Sequence, residues 1–147
     1  MKVKKKVGKT TSPARKKVFS DEERSAMVAR YRESKGEGVG EAEVLAKIAE
    51  MKDADRMLAK RVHEVITASA PNLQPKLWYG MPAYAKQGDL ICHFQPAQKF
   101  KTRYASLGFS DKAKLDDGDL WPVAYALPKM TPAAETKIAA LVKKAAG

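Results

Sequence analysis

The sequence holds a single cysteine, Cys92, among 147 residues. That excludes an intramolecular disulfide and removes any pointer to an oxidising compartment. No apolar run approaches the roughly 20 residues a membrane span requires, and the charged N-terminus has no apolar stretch behind it. A soluble, cytoplasmic protein with no membrane partner is the expectation. Motifs that announce a mechanism are missing as well: there is no P-loop, no Gly-x-Gly-x-x-Gly after a strand, no Gly-x-Ser-x-Gly and no His-Glu-x-x-His. With no assembled acid, base or nucleophile, an enzyme ranks below a binding module.

What is present fits one domain with room for a hydrophobic core. The formal charge of +11 is unevenly spread. Met1 to Lys17 holds eight of the 28 basic residues and no acid, leaving 20 basic against 17 acidic residues, or +3, for the rest. A nearly balanced domain with a basic tail describes the chain better than a basic protein. The tail has little apolar material to offset ordering entropy, so residues 1–18 are expected to be disordered.

Ser20 with Glu23 has the form of a capping box, and acids follow where the helix dipole favours them, so a helix should run from there to about Ser34 with Met27 and Tyr31 as a thin apolar stripe. Gly36, Gly38 and Gly40 read as a linker over 35–40. Helical spacing resumes at Val44, Leu45, Ile48 and Met51, and again after Asp53, read as a cap, at Met57, Leu58, Val62, Val65 and Ile66 until Pro71. From Gln74 the period shortens: Leu77-Trp78, Ala83-Tyr84, Leu90 to Phe94, Tyr104 to Phe109 and Val123 to Leu127 look like strands between glycine and proline turns. Lys86-Gln87-Gly88-Asp89 is a hairpin connection. Thr131-Pro132 opens a last helix, with Ile138, Leu141, Val142 and Ala145 as its buried stripe. Helices flanking a run of strands argue an α+β fold, a compact single domain whose mainly antiparallel sheet is packed by N-terminal helices and a C-terminal helix.

Several clusters carry candidate chemistry. Cys92 beside His93 invites a nucleophile–base reading, but neighbours on a strand point to opposite faces. His63 lies roughly opposite the apolar stripe of its helix and reads as solvated. Asp116, Asp117 and Asp119, with His93 as a further ligand, are the candidate metal set, although the spacing is not that of an EF-hand and a capped turn at Gly118 explains the run as well. Lys99 to Tyr104 interleaves cations with rings, for an anion or a base, or with Phe100 and Tyr104 on a core face and Lys101 and Arg103 in water. The heptapeptide Trp78-Tyr79-Gly80-Met81-Pro82-Ala83-Tyr84 is the densest ring cluster. We read it as mainly architectural, with Gly80-Met81-Pro82 breaking the backbone between two strands and Trp78 buried on the core side, while Tyr79 or Tyr84 lines a pocket.

That heptapeptide, followed by Phe94, Lys99, Tyr104-Ala105-Ser106-Leu107 and the terminal helix, resembles the YdhG-like domain family, which is grouped with YjbR and frataxin-like CyaY proteins. The resemblance covers roughly Asp53 to Lys143, and the helix opening at Phe19 is similar to an extension seen in some members. It divides the chain into the basic tail at 1–18, a helical extension at 19–52 and the YdhG-like domain at 53–147. It implies a compact α+β fold with helices on an antiparallel sheet. It also implies, from the few members described, a frataxin-like intracellular iron chaperone, and iron is the cofactor that enters on this ground alone.

Two partner classes follow. The first is an unidentified small ligand or metal, held in a pocket of Trp78, Tyr79, Met81, Pro82, Tyr84, Lys101, Arg103 and Tyr104. The alternative is nonspecific nucleic-acid contact through the tail, where Lys4, Lys5, Lys6, Arg15, Lys16 and Lys17 would displace phosphate counterions.

Overall fold

A computed structural model describes residues 20–34 and 39–147; the expected tail at 1–18 and most of the glycine linker lie outside them. Helix α1 is Asp21–Ser34, α2 Glu41–Ala49 and α3 Asp53–Ser69. Strands β1 Gln74–Trp78, β2 Met81–Lys86 and β3 Asp89–Gln95 follow, then a single turn of helix α4 Ala97–Phe100, strands β4 Ala105–Phe109 and β5 Ala124–Leu127, and helix α5 Pro132–Ala146. The five strands form one antiparallel sheet in sequence order. The fold is α+β, as the change of hydrophobic period from 3.6 to 2 requires.

Helix starts are where the sequence places them. The Ser20 N–H donates to Glu23 Oε1 at 2.8 Å and the Glu23 N–H returns to Ser20 Oγ at 3.1 Å, a closed capping box. Thr131 Oγ1 accepts from the Ala134 N–H at 3.1 Å, with Pro132 at the first helical position. Asp53 is the first residue of α3 rather than its cap, a role taken by Lys52.

Residues opposite one another in an antiparallel ladder share a face. The register pairs Leu77 with Pro82, Tyr84 with Cys92, Cys92 with Phe109, Phe94 with Leu107 and Ala105 with Leu127, so these side chains point to one side of the sheet. There they join Val62 and Ile66 of α3, Val44 and Ile48 of α2 and Ile138 and Val142 of α5 in a single core. Helix α2, assigned to the N-terminal extension, is thus part of the core, with Val44 fully buried. Arg61 clamps α3 to α5 through two 2.7 Å bonds to Glu135, which holds that carboxyl below its usual pKa.

The remaining helix differs from expectation. Met27 and Tyr31 of α1 are 45 and 63% exposed, and it is Ala26 that faces inward. The helix reaches the β1–β2 turn, where a small residue is needed: a Cβ at Gly80 would already lie 3.4 Å from the Ala29 methyl.

Both turns that join β1 to β2 and β2 to β3 have two residues with positive φ, Tyr79 (52°) and Gly80 (76°), then Gln87 (51°) and Gly88 (87°). This is the type I′ pattern that matches strand twist. The second turn is the expected hairpin. The first corrects the reading of the heptapeptide, because the break falls at Tyr79-Gly80 while Met81 and Pro82 belong to β2. Pro82 is tolerated in an inner strand for a local reason. The residues flanking a two-residue turn exchange hydrogen bonds, which leaves Pro82 at a non-bonded position opposite Leu77, and pairing of β2 with β3 begins only at Ala83.

Candidate functional site

The sheet face turned away from the core carries one row across all five strands: Lys76, Ala83, His93, Gly108 and Ala124, each opposite the next. His93 is the only ring in that row, and its neighbours on both sides are nearly bare of side chain. Its imidazole passes directly over Gly108, where a Cβ would meet His93 Cε1 at 2.6 Å. The indole of Trp78, one row along, packs against it at 4.9 Å between centroids, tilted by 57°, and Tyr79 meets Trp78 edge-on at 4.9 Å. The result is a ring shelf on a floor of alanine and glycine.

The electrostatics of His93 set it apart. Partial burial lowers its pKa from the ordinary 6.5, so at neutral pH the ring is uncharged and offers one donor and one acceptor. Neither ring nitrogen hydrogen-bonds to protein among the described residues. No fully buried side-chain nitrogen or oxygen there lacks a partner, so the unpartnered nitrogens of His93 keep some contact with solvent. Around it, Gln95 and Ser106 are half-buried on the same face, while Ala124 and Ala126 are exposed.

The structure disperses the eight residues expected to form one pocket. Trp78 is half-buried on the outer face, not in the core; alternation gives the core position of β1 to Leu77 and turns its neighbour away. Met81 is buried beside it on that face. Tyr84 and Pro82 are fully buried on the helix side, with no surface left for a ligand. Tyr79 sits in the turn with the Arg30 guanidinium 5.7 Å from its ring. Lys99 and Phe100 end helix α4; Lys101, at φ 55°, pairs with Glu22 at 3.3 Å, and Arg103 lies 5.1 Å over the ring of Tyr104, itself 38% exposed. Neither Phe100 nor Tyr104 is a core residue. Of the expected pocket, Trp78, Tyr79 and Met81 stay together and are joined by His93 from the expected metal set, while Arg103 and Tyr104 pair with each other elsewhere.

His63 is the largest departure. It is 4% exposed and not solvated. The buried arc of α3 is wider than its apolar stripe: Met57 is 70% exposed, whereas Asp55 and Ala59 are buried and extend the arc to His63, on the flank that α2 covers. Its Nε2 donates to Glu41 Oε2 at 2.7 Å and its Nδ1 accepts from the Tyr84 hydroxyl at 2.9 Å, the tautomer fixed by a carboxylate that can only accept. Carboxylate, imidazole and hydroxyl thus stand in the order of a nucleophile relay, but burial raises the pKa of the Tyr84 phenol and seals it from any substrate. The chain of bonds fastens α2, α3 and β2 together. Its one signal in the sequence is a core tyrosine whose hydroxyl needs a partner.

Cys92 and His93 do lie on opposite faces; the thiol is fully buried, with its pKa pushed up to about 12. Asp116, Asp117 and Asp119 are exposed around a turn at Gly118, φ 69°. Among the described residues no three His, Cys, Asp or Glu side chains gather where they could hold a metal ion, so neither these acids nor His93 form a cage. The one histidine with free nitrogens stands on the ring shelf instead. No described helix is long and apolar enough to cross a membrane. The chain matches no protein-family model, no curated protein and no solved structure.

Proposed function

We propose that this protein is a binding module for a small planar ligand, taken onto the outer face of the sheet against Trp78 and His93. The observation that carries the reading is the neutral imidazole of His93, packed on an indole and over Gly108, with neither nitrogen bonded to protein among the described residues. Rings supply area at little entropic cost, and one donor and one acceptor fix orientation, the usual composition of a ligand site. Among the described residues no hydroxyl or thiol hydrogen-bonds to His93, which favours binding over catalysis.

Membership of the YdhG-like family is a proposal on the same footing, supported by the heptapeptide and by helices packed on an antiparallel sheet. Iron carriage, which that resemblance brings with it, has less support, because no ligand cluster forms among the described residues. The test is an NMR screen of the 15N-labelled protein against a library of planar heteroaromatic fragments, read at the Trp78 indole and at the His93, Ser106 and Gly108 amides. Shifts should gather there and vanish in His93→Ala. Shifts confined to other surfaces, or none at millimolar fragment, would overturn the reading.

A further inference from the structure

Strand β5 is the outer strand beyond β4, and only half of its backbone is used. The Phe109 N–H donates to the Val123 carbonyl at 2.7 Å, so Val123 stands in a bonded position towards β4. Bonded positions alternate along an antiparallel ladder, so Tyr125 and Leu127 also bond to β4, while Ala124 and Ala126 turn their N–H and C=O groups outward. Among the described residues nothing bonds to those outward groups.

Beside this edge, between β5 and α5, lies a cavity of about 140 Å³ lined by Leu107, Tyr125, Leu127, Ile138 and Leu141. That is several times the ~30 Å³ share of a water molecule, enough for an apolar side chain. Lys137 stands at its rim with its ammonium 5.6 Å over the Tyr125 ring, and no acidic residue lines it. The same helix carries Lys143 and Lys144, and its single acid, Glu135, is held by Arg61.

We propose that the β5 edge and this cavity form a docking groove for an extended acidic peptide, which adds a sixth strand along Ala124–Leu127 and seats one apolar side chain between β5 and α5. Strand addition draws affinity from main-chain bonds and specificity from pockets for alternate side chains, and the groove has both. Two alanines at the outward positions let another backbone approach. Pro122 and Pro128 bound the edge and limit the added strand to a few residues. The charge selects among occupants. The basic segment 2–17 of this chain is repelled, and a second copy would set two lysine-bearing helices side by side, whereas an acidic segment is attracted.

The experiment is selection of displayed random octapeptides on the full chain, followed by titration of the enriched peptides and amide hydrogen exchange. Enriched sequences should carry an apolar residue flanked by Asp or Glu, and the Ala124 and Ala126 amides should gain protection on binding. Ala126→Pro, which removes one outward N–H, should weaken binding about tenfold, in keeping with one lost hydrogen bond. Ala134→Phe leaves every backbone group in place and fills the cavity, and should weaken it at least as much. The proposal is overturned by absence of enrichment, by peptides whose affinity survives both substitutions, by protection that appears on other strands, or by a dimer formed through β5 in place of peptide binding.

Discussion

His93 and Gly108 face one another across β3 and β4 so closely that the imidazole occupies the space a side chain at 108 would need; a Cβ there would lie 2.6 Å from Cε1 and 3.1 Å from Nε2. Gly108 is required by that neighbour and not by its own backbone, since its φ is not among the positive ones.

Gly108→Ala is therefore expected to destabilise the fold by roughly 1–3 kcal/mol through overpacking, and to do so only while the imidazole is present. In a His93→Ala background the same change should cost close to nothing. A double-mutant cycle in urea measures the difference, and additive costs would show that the contact carries no strain.

Tyr84 and Trp78 are both rings of the heptapeptide, yet their truncations should differ in size. Tyr84→Ala opens a cavity in the core and strands the buried His63 ring, at a cost of roughly 3–5 kcal/mol. Tyr84→Phe keeps the volume and leaves His63 Nδ1 without its donor, at roughly 1–3 kcal/mol. Trp78→Ala, half-buried on the outer face, should fall below Tyr84→Ala. Chemical denaturation midpoints in the opposite order would return Trp78 to the core.

The lowered pKa of His93 predicts a pH dependence with a definite sign. Above the ordinary value of 6.5 both folded and unfolded chains hold the ring neutral. As the pH falls through 6.5 the unfolded chain takes up the proton first, so folding stability drops from there towards the lower folded pKa. The urea midpoint of the wild type should fall further between pH 7.5 and 5.5 than that of His93→Gln. Equal declines would contradict the assignment.

The basic segment gives a prediction that rests on charge alone. Removing residues 1–18 deletes eight cations and no anion, so retention on DNA-cellulose at low salt should be lost together with its steep dependence on salt. If the shortened protein is retained as strongly as the full chain, nucleic-acid contact through this segment is refuted.

Much of the framework is legible in the residues because its causes are local. Ser20 with Glu23, Thr131 with Pro132 and Gln87 with Gly88 each fix an element by short-range chemistry. The site is less legible because its causes are not local. Nothing near His93 in the chain reveals that it crosses Gly108, 15 positions on; that follows from the register of β3 against β4. His63 lies beyond the apolar stripe of its helix, on a flank buried only because α2 packs there, and its partners Glu41 and Tyr84 stand 22 and 21 residues away. The face that Trp78 takes is set by the two-residue turn at Tyr79-Gly80, which fixes the phase of β1 against β2; moving that turn by one residue reverses every side chain.

The strand order has a kinetic consequence. Each strand pairs with the one that precedes it, and the first three are joined by two-residue turns. Growth of the sheet can thus proceed outward one neighbour at a time, starting with hairpins that form in roughly 1–10 μs. The long closures are the docking of α2, whose Glu41 must find His63, and of α5, whose Glu135 must find Arg61. A folding rate set by these helix dockings, with β1–β3 already paired in the transition state, follows from a sheet in which every strand pairs with its neighbour in the chain.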